Sequence, residues 1–147
     1  MSFLVSMIPQ YRLLQWAADA LAIPHGRFME NSHAVGVLDE QRTIRAVMVL
    51  NKFSGEGCEA SFVSDGSKTW LTATVVAKLI SIPFEQFRMR RVVAHVGADA
   101  IDTQIAALRI GFMFEARLRA GMPNGDDAIL FSMLRNDRLA VPDDEEV

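Results

Sequence analysis

Residues Arg90 to Asn136 read RRVVAHVGADAIDTQIAALRIGFMFEARLRAGMPNGDDAILFSMLRN. Arg91 to Val96 alternates and is rich in valine, which predicts a buried strand. Gly97 to Asp99 breaks it, and Asp102 to Ile110 has the spacing of a short helix. Phe112, Phe114, Ala116 and Leu118 then alternate with Met113, Glu115, Arg117 and Arg119. That pattern predicts a strand with the first set on the core. Asp127 to Leu134 is its expected hairpin partner around Pro123-Asn124-Gly125-Asp126. This partner is apolar on both faces: Ala128, Leu130 and Leu134 on one, Ile129, Phe131 and Met133 on the other. Such a strand needs cover on both sides. The N-terminal helix around Trp16 and a second copy of the chain are the two expected sources.

Upstream, Ile8, Tyr11, Leu14, Ala17, Ala18 and Leu21 recur at helical spacing over residues 7 to 21, and Pro24-His25-Gly26 ends the pattern. His33 to Leu38 and Thr43 to Phe53 flank the polar turn Asp39 to Arg42 and predict a hairpin. Cys58 to Ser64 is a further strand. From Thr69 to Phe87 the pattern turns helical, with Trp70, Ala73, Val76, Ala77, Ile80 and Phe84 in one stripe and Pro83 predicting a stop near Ser81. The expected order is α, β, β, β, α, β, α, β, β. The strands on either side of the Thr69 helix must then run parallel through a right-handed crossover.

The chain has 147 residues, 50% hydrophobic and 22% charged, which suits one domain with a proper core. Its apolar runs fall short of the ~20 residues that cross a bilayer. The start MSFLVSMIPQ lacks a basic region and a cleavage site, and Cys58 is a lone cysteine. Both features predict a cytoplasmic protein. Cys58 reads as a small core residue or a thiol. The net charge of -3 gives no global attraction to nucleic acid. Arg88, Arg90 and Arg91 form either a solvated strand start or a phosphate contact. The tail Asp143 to Glu146 is an acidic end. His25, His33 and Cys58 have no ligand spacing, so no metal site is expected.

The order of elements, together with Leu108-Arg109-Ile110-Gly111-Phe112, Glu115-Ala116-Arg117-Leu118-Arg119 and Met133-Leu134-Arg135-Asn136, resembles the GNAT superfamily of N-acyltransferases, in particular its ribosomal-protein acetyltransferase branch. The resemblance covers residues 33 to 136. Trp70-Leu71-Thr72, Pro83-Phe84-Glu85-Gln86-Phe87 and Asp126-Asp127 are further similar to short GNAT-like proteins of tailed bacteriophages, some of which are carried in the virion. The resemblance implies an α/β (α+β) fold in one domain: a mixed, mostly antiparallel twisted sheet with a central parallel strand pair, flanked by helices. It implies an acetyl-CoA-dependent N-acetyltransferase acting on an amine, and an often dimeric assembly.

The same resemblance implies the site. The pyrophosphate of CoA is held by backbone N–H groups ahead of a helix, here Lys68, Thr69, Trp70, Leu71, Thr72 and Ala73. The strand end Phe62, Val63 and Ser64 polarises the thioester carbonyl. Ala73-Thr74 matches the family's helix start, but Thr69 and Leu71 stand where two glycines belong. Ala100 replaces an asparagine that anchors pantetheine, Thr103 sits at the serine position three residues on, and Ala107 replaces a tyrosine acid. The only tyrosine is Tyr11. Glu59 falls at the base position of the central strand, and Thr103 or water protonates the leaving thiolate. His95 ends the next strand, as a base or as a packed histidine. The lost glycines, amide and tyrosine leave an alternative function: a GNAT-fold accessory or virion module without catalysis.

Overall fold

The computed structural model describes residues 2–24, 28 and 31–138. His25 and the acidic run Asp143 to Glu146 therefore lie outside the described residues. A seven-stranded sheet carries the fold, in the order β1-β2-β3-β4-β5-β7-β6. The strands are β1 (Leu4–Ser6), β2 (His33–Leu38), β3 (Ile44–Ser54), β4 (Gly57–Ser64), β5 (Arg91–Gly97), β6 (Met113–Leu118) and β7 (Ala128–Leu134). The helices are α1 (Gln10–Ala20), α2 (Ala73–Ser81) and α3 (Ile101–Ile110). β4 and β5 are parallel, and the other neighbours are antiparallel. This is the mixed sheet with a central parallel pair that the sequence predicts.

Strand alternation sorts the core into two layers. On one face Val35, Val37, Met48, Ala60, Ala94 and Phe131 pack with Val76, Leu79 and Ile80 of α2 and with Ala107 and Ile110 of α3. On the other, Ala34, Val47, Val49 and Val63 pack with Leu13, Leu14, Ala17 and Ala18 of α1. Gln10 anchors α1 to the sheet edge, because its side-chain amide donates to the carbonyl of Ala34 and accepts from the N–H of Ala34. α1 therefore covers the β2–β4 half of its face. Among the described residues, the β5–β7–β6 half of that face has no helix over it.

Four expectations need correction. The short strand β1, paired with β2, carries no periodic signal over its three residues and goes unpredicted. Trp70 is not on the Thr69 helix: α2 starts at Ala73, because the Thr72 hydroxyl accepts the Val75 N–H at 3.3 Å and caps it there. Trp70 instead sits in the preceding loop, 2% exposed. α2 does stop at Ser81, and Pro83 falls in a π-helical turn, Ile82–Gln86.

The other two corrections concern the last hairpin. The register of β6 on β7 slips between Phe114 and Ala116. The extra residue inverts the alternation. Phe114 stands beside Phe131, while Ala116 pairs with Leu130 on the opposite face. β6 is also an edge strand, so Phe114 is 59% exposed instead of buried. On β7, Phe131 and Met133 are buried under α2 and α3, with Ile129 packed against them. α1 covers neither face of β7, because it lies over β2, β3 and β4.

Candidate active site

Pairing of β4 with β5 runs from Gly57 opposite Arg91 to Ser61 opposite His95 and then stops. β5 continues along β7 through Val96 and Gly97. Phe62, Val63 and Ser64 thus pair with β3 but not with β5, and a gap opens in the sheet. The reason is local. Gly97 and Ala98 turn away into α3, held by the Gln104 side-chain amide, which donates to both carbonyls at 3.0 Å. Ala100 N–H also bonds the Gly97 carbonyl at 2.9 Å. Asp65 gives its N–H to the Arg45 carbonyl on β3. Alternation along the strand then turns the Ser64 N–H toward the gap.

The gap joins two recesses. One, of about 310 Å³, lies on the α2–α3 side between Met48, Phe62, Gly66, Trp70, Ala100 and Thr103. The other, of about 410 Å³, lies on the α1 side between Leu21, Ser64, Asp99, Arg117, Met122 and Asp126. Phe62, Val63, Ser64, Asp99 and Ala100 line both. Thr103 also borders a narrow apolar slot between α2 and α3. The cleft therefore passes through the sheet and opens on both of its faces.

The loop from β4 to α2 is closed on itself. The N–H of Gly66 goes to Ser64 Oγ, that of Ser67 to Asp65 Oδ1, that of Leu71 to the Lys68 carbonyl and that of Thr72 to the Trp70 carbonyl. Trp70 Nε1 donates to the Ser67 carbonyl at 3.0 Å. These donors are spent within the loop and are not presented to an anion. Lys68 reaches across to the first turn of α3, where its Nζ lies 2.7 Å from Asp102 Oδ2. That contact raises the Lys68 ammonium above its ordinary value. A phosphate held by Lys68 must compete with Asp102.

Glu59 lies two residues before Ser61, the last residue of β4 paired with β5, on the face that α1 leaves open. His95 Nε2 lies 3.4 Å from Glu59 Oε1, and Lys52 Nζ lies 3.7 Å from the same oxygen. Burial pushes the His95 imidazole down, Glu59 pulls it up and Lys52 pushes it down, with a net lowering. Desolvation raises the Cys58 thiol to about 11, with Glu59 adding to it, so this buried cysteine is a core residue and carries no thiolate at neutral pH.

The structure thus brings together Phe62, Val63, Ser64 and Thr103 at the gap, with Trp70 and Leu71 beside Thr103. Glu59 stands apart from Thr103, on the opposite side of the sheet. Asp99, Met122 and Gln104 at the cleft go unpredicted. Their signal is only that they belong to the polar turn after β5, the β6–β7 tip and the following helix. Arg135, at the family's Leu-Arg position, is structural: its guanidinium bonds the carbonyls of Phe84 and Met89, each at 2.9 Å.

No protein-family model matches the sequence, and no curated protein matches it. Solved structures match the fold. The spermidine/spermine N-acetyltransferase SpeG from Vibrio cholerae, in mutant forms, superposes with a TM-score of 0.69 at 11% identity, over 92% of this chain and 96% of that one. A dodecameric SpeG structure from the same organism gives 0.68 at 11%, over 91% and 94%. A probable acetyltransferase gives 0.64 at 17%, over 92% and 94%. At such identities the likeness is one of fold, the GNAT-like sheet with its splayed central pair.

Proposed function

We propose that the protein is an acetyl-CoA-dependent N-acetyltransferase whose acceptor is an amine. The observation that carries this reading is the cleft through the sheet at Ser64, open on both faces. The thioester arm enters from the α2–α3 side, past Trp70, Leu71 and Thr103. The phosphates meet the loop at Lys68, Thr69, Thr72 and Ala73. The amine enters from the α1 side. Its nitrogen attacks the carbonyl carbon, a C–N bond forms and the C–S bond breaks. The strand end Phe62–Ser64 supplies an N–H to the carbonyl oxygen, and Ser64 is turned the right way to give it. The amine proton leaves on the open face, toward Glu59 and the His95 imidazole beside it, and the Thr103 hydroxyl or water protonates the thiolate. Asp99 and Asp126 at the mouth suit a cationic acceptor, while Asp127 there is paired with Arg117.

Calorimetry with acetyl-CoA and with free CoA tests the proposal. We expect binding of both that is weaker than glycine-loop relatives achieve. Binding of neither would end the reading. The closed loop and the Lys68–Asp102 pair favour one alternative, a GNAT-fold accessory or virion module that binds no CoA. We further take the chain to resemble the ribosomal-protein branch and the short phage GNAT-like proteins, acting in the cytoplasm of a bacterial or infected host cell. A homodimer through the β6–β7 hairpin is supported by exposed Met113, Phe114 and Leu134.

A further inference from the structure

The half of the sheet that α1 leaves open holds a groove beside the cleft. It has a volume of about 220 Å³ and is lined by Asn51, Lys52, Glu59, Ser61, His95 and Met122. Met122 also lines the recess at the gap, so the two spaces meet at that side chain. Three features make this groove more than a solvated strand face.

First, His95 is embedded in it, with 13% of its side chain exposed. Ser61, 7% exposed, is its register partner on β4. Second, the groove is built by a break in strand pairing. The β3–β4 register slips between Asn51 and Ser54, and Lys52 has φ 51°, in the left-handed region. Plain alternation would place Lys52 on the buried face with Met48 and Leu50. The bulge instead carries its ammonium to Glu59, on the open face, and lets Phe53 pack with the buried cluster. Third, Lys52 Nζ and His95 Nε2 converge on the single oxygen Oε1 of Glu59, so this carboxylate is already engaged.

We infer that His95 takes the proton from the attacking amine, and that Glu59 is its positioning partner. This rests on the acetyltransferase reading. His95 stands two residues before Gly97, where the cleft opens. At ~3.3 Å per residue that is about 6–7 Å along the strand, which a short chain of water bridges to an acceptor nitrogen in the cleft. Glu59 beside Nε2 favours the tautomer with its proton on Nε2, which leaves the Nδ1 lone pair to accept. The amine nitrogen forms its bond to the acyl carbon, its proton passes to Nδ1, and the electron pair of the broken C–S bond leaves on sulfur. An ordinary carboxylate is a weak base at neutral pH, whereas an imidazole is matched to it. The charged groups around His95 are Glu59 on β4, Lys52 on β3 and, in the adjoining recess, Arg91 of β5 itself. β6 and β7 present uncharged Leu118 and Leu130, and the hairpin tip presents Gly121, Met122 and Pro123.

The test follows thiol release from acetyl-CoA between about pH 5 and 9, with spermidine and a tripeptide bearing a free N-terminus as amine probes. His95→Gln and His95→Asn should each lose ~10²–10⁴-fold. Glu59→Gln should lose less and move the acid limb to lower pH, because it removes the charge that holds a proton on the ring. Lys52→Met should move it to higher pH. Nitrogen-15 NMR of the imidazole should find the neutral ring protonated on Nε2. Release that survives in both His95 variants, a deeper loss in Glu59→Gln, or an Nδ1-protonated ring would each overturn the assignment alone. Absence of release from the wild type would overturn the acetyltransferase reading, and the assignment with it.

Discussion

Asp39 shows how one side chain can hold a turn and carry a pH dependence. Its Oδ1 accepts the N–H groups of Thr43 and Gln41, each at 2.9 Å, and its Oδ2 lies 3.0 Å from the Arg45 guanidinium. The bond from Thr43 and those from Arg45 and Gln41 hold the carboxyl below its usual range, against the opposing effect of burial. The folded value lies below the unfolded one, so the stabilisation is present above about pH 4. It is lost as pH falls through the folded value. Asp39→Ala should therefore lower the urea midpoint at neutral pH, and the gap to wild type should close below about pH 4. A gap that stays constant down to low pH would show that the charge is immaterial. Arg135 is a second such residue. Arg135→Ala removes its bonds to the Phe84 and Met89 carbonyls and should cost about 1 kcal/mol in chemical denaturation. Wild-type stability would restore the family-like position to a functional reading. Glu59 was legible from the sequence as the central-strand carboxylate. Its contacts with His95 and Lys52 were not, because one depends on strand register and the other on a bulge.

Among the elements, the loop between β4 and α2 is the one to which the proposed function assigns the CoA phosphates. Thr69 and Leu71 stand where the family has glycines, and Trp70 between them is locked by burial and by its bond to the Ser67 carbonyl. The double change Thr69→Gly, Leu71→Gly frees the backbone and should tighten CoA binding in calorimetry. Unchanged affinity would mean that the phosphates sit elsewhere. Trp70→Ala should destabilise by roughly 3–5 kcal/mol, since its ring fills the core where β4 meets α2. A loss below about 1 kcal/mol in urea unfolding would mean that the core collapses around it. The extents of β2, β4, β5 and α3 were nearly readable from alternation and spacing. The start of α2 was not, because a capping threonine overrode an apolar stripe that continues through Trp70.

Assembly turns on the open face and the β6 edge. Ile101, Ile105 and Leu108 of α3 and Met113 and Phe114 of β6 are exposed, and α3 contacts β6. If the β6–β7 hairpin forms the proposed homodimer, sedimentation at micromolar concentration should give a dimer that Phe114→Glu dissociates. A wild-type monomer would refute it. Phe131 and Met133 take their cover from α2 and α3, so of the two faces of β7 it is the opposite one, with Leu130 and exposed Leu134, that is left for a second copy.

Element order, the hairpins and the parallel crossover are written in the chain itself. They follow from alternation, helical spacing and breakers acting over a few residues. The absence of glycine from residues 67 to 72 is equally plain in the sequence. Which side chains meet at the cleft is settled by packing and register instead. A bulge of one residue reverses every face beyond it, as Lys52 and Ala116 show. The gap at Ser64 exists because β5 keeps its partner β7 while β4 loses β5. No local pattern in either strand encodes the point at which that pairing ends.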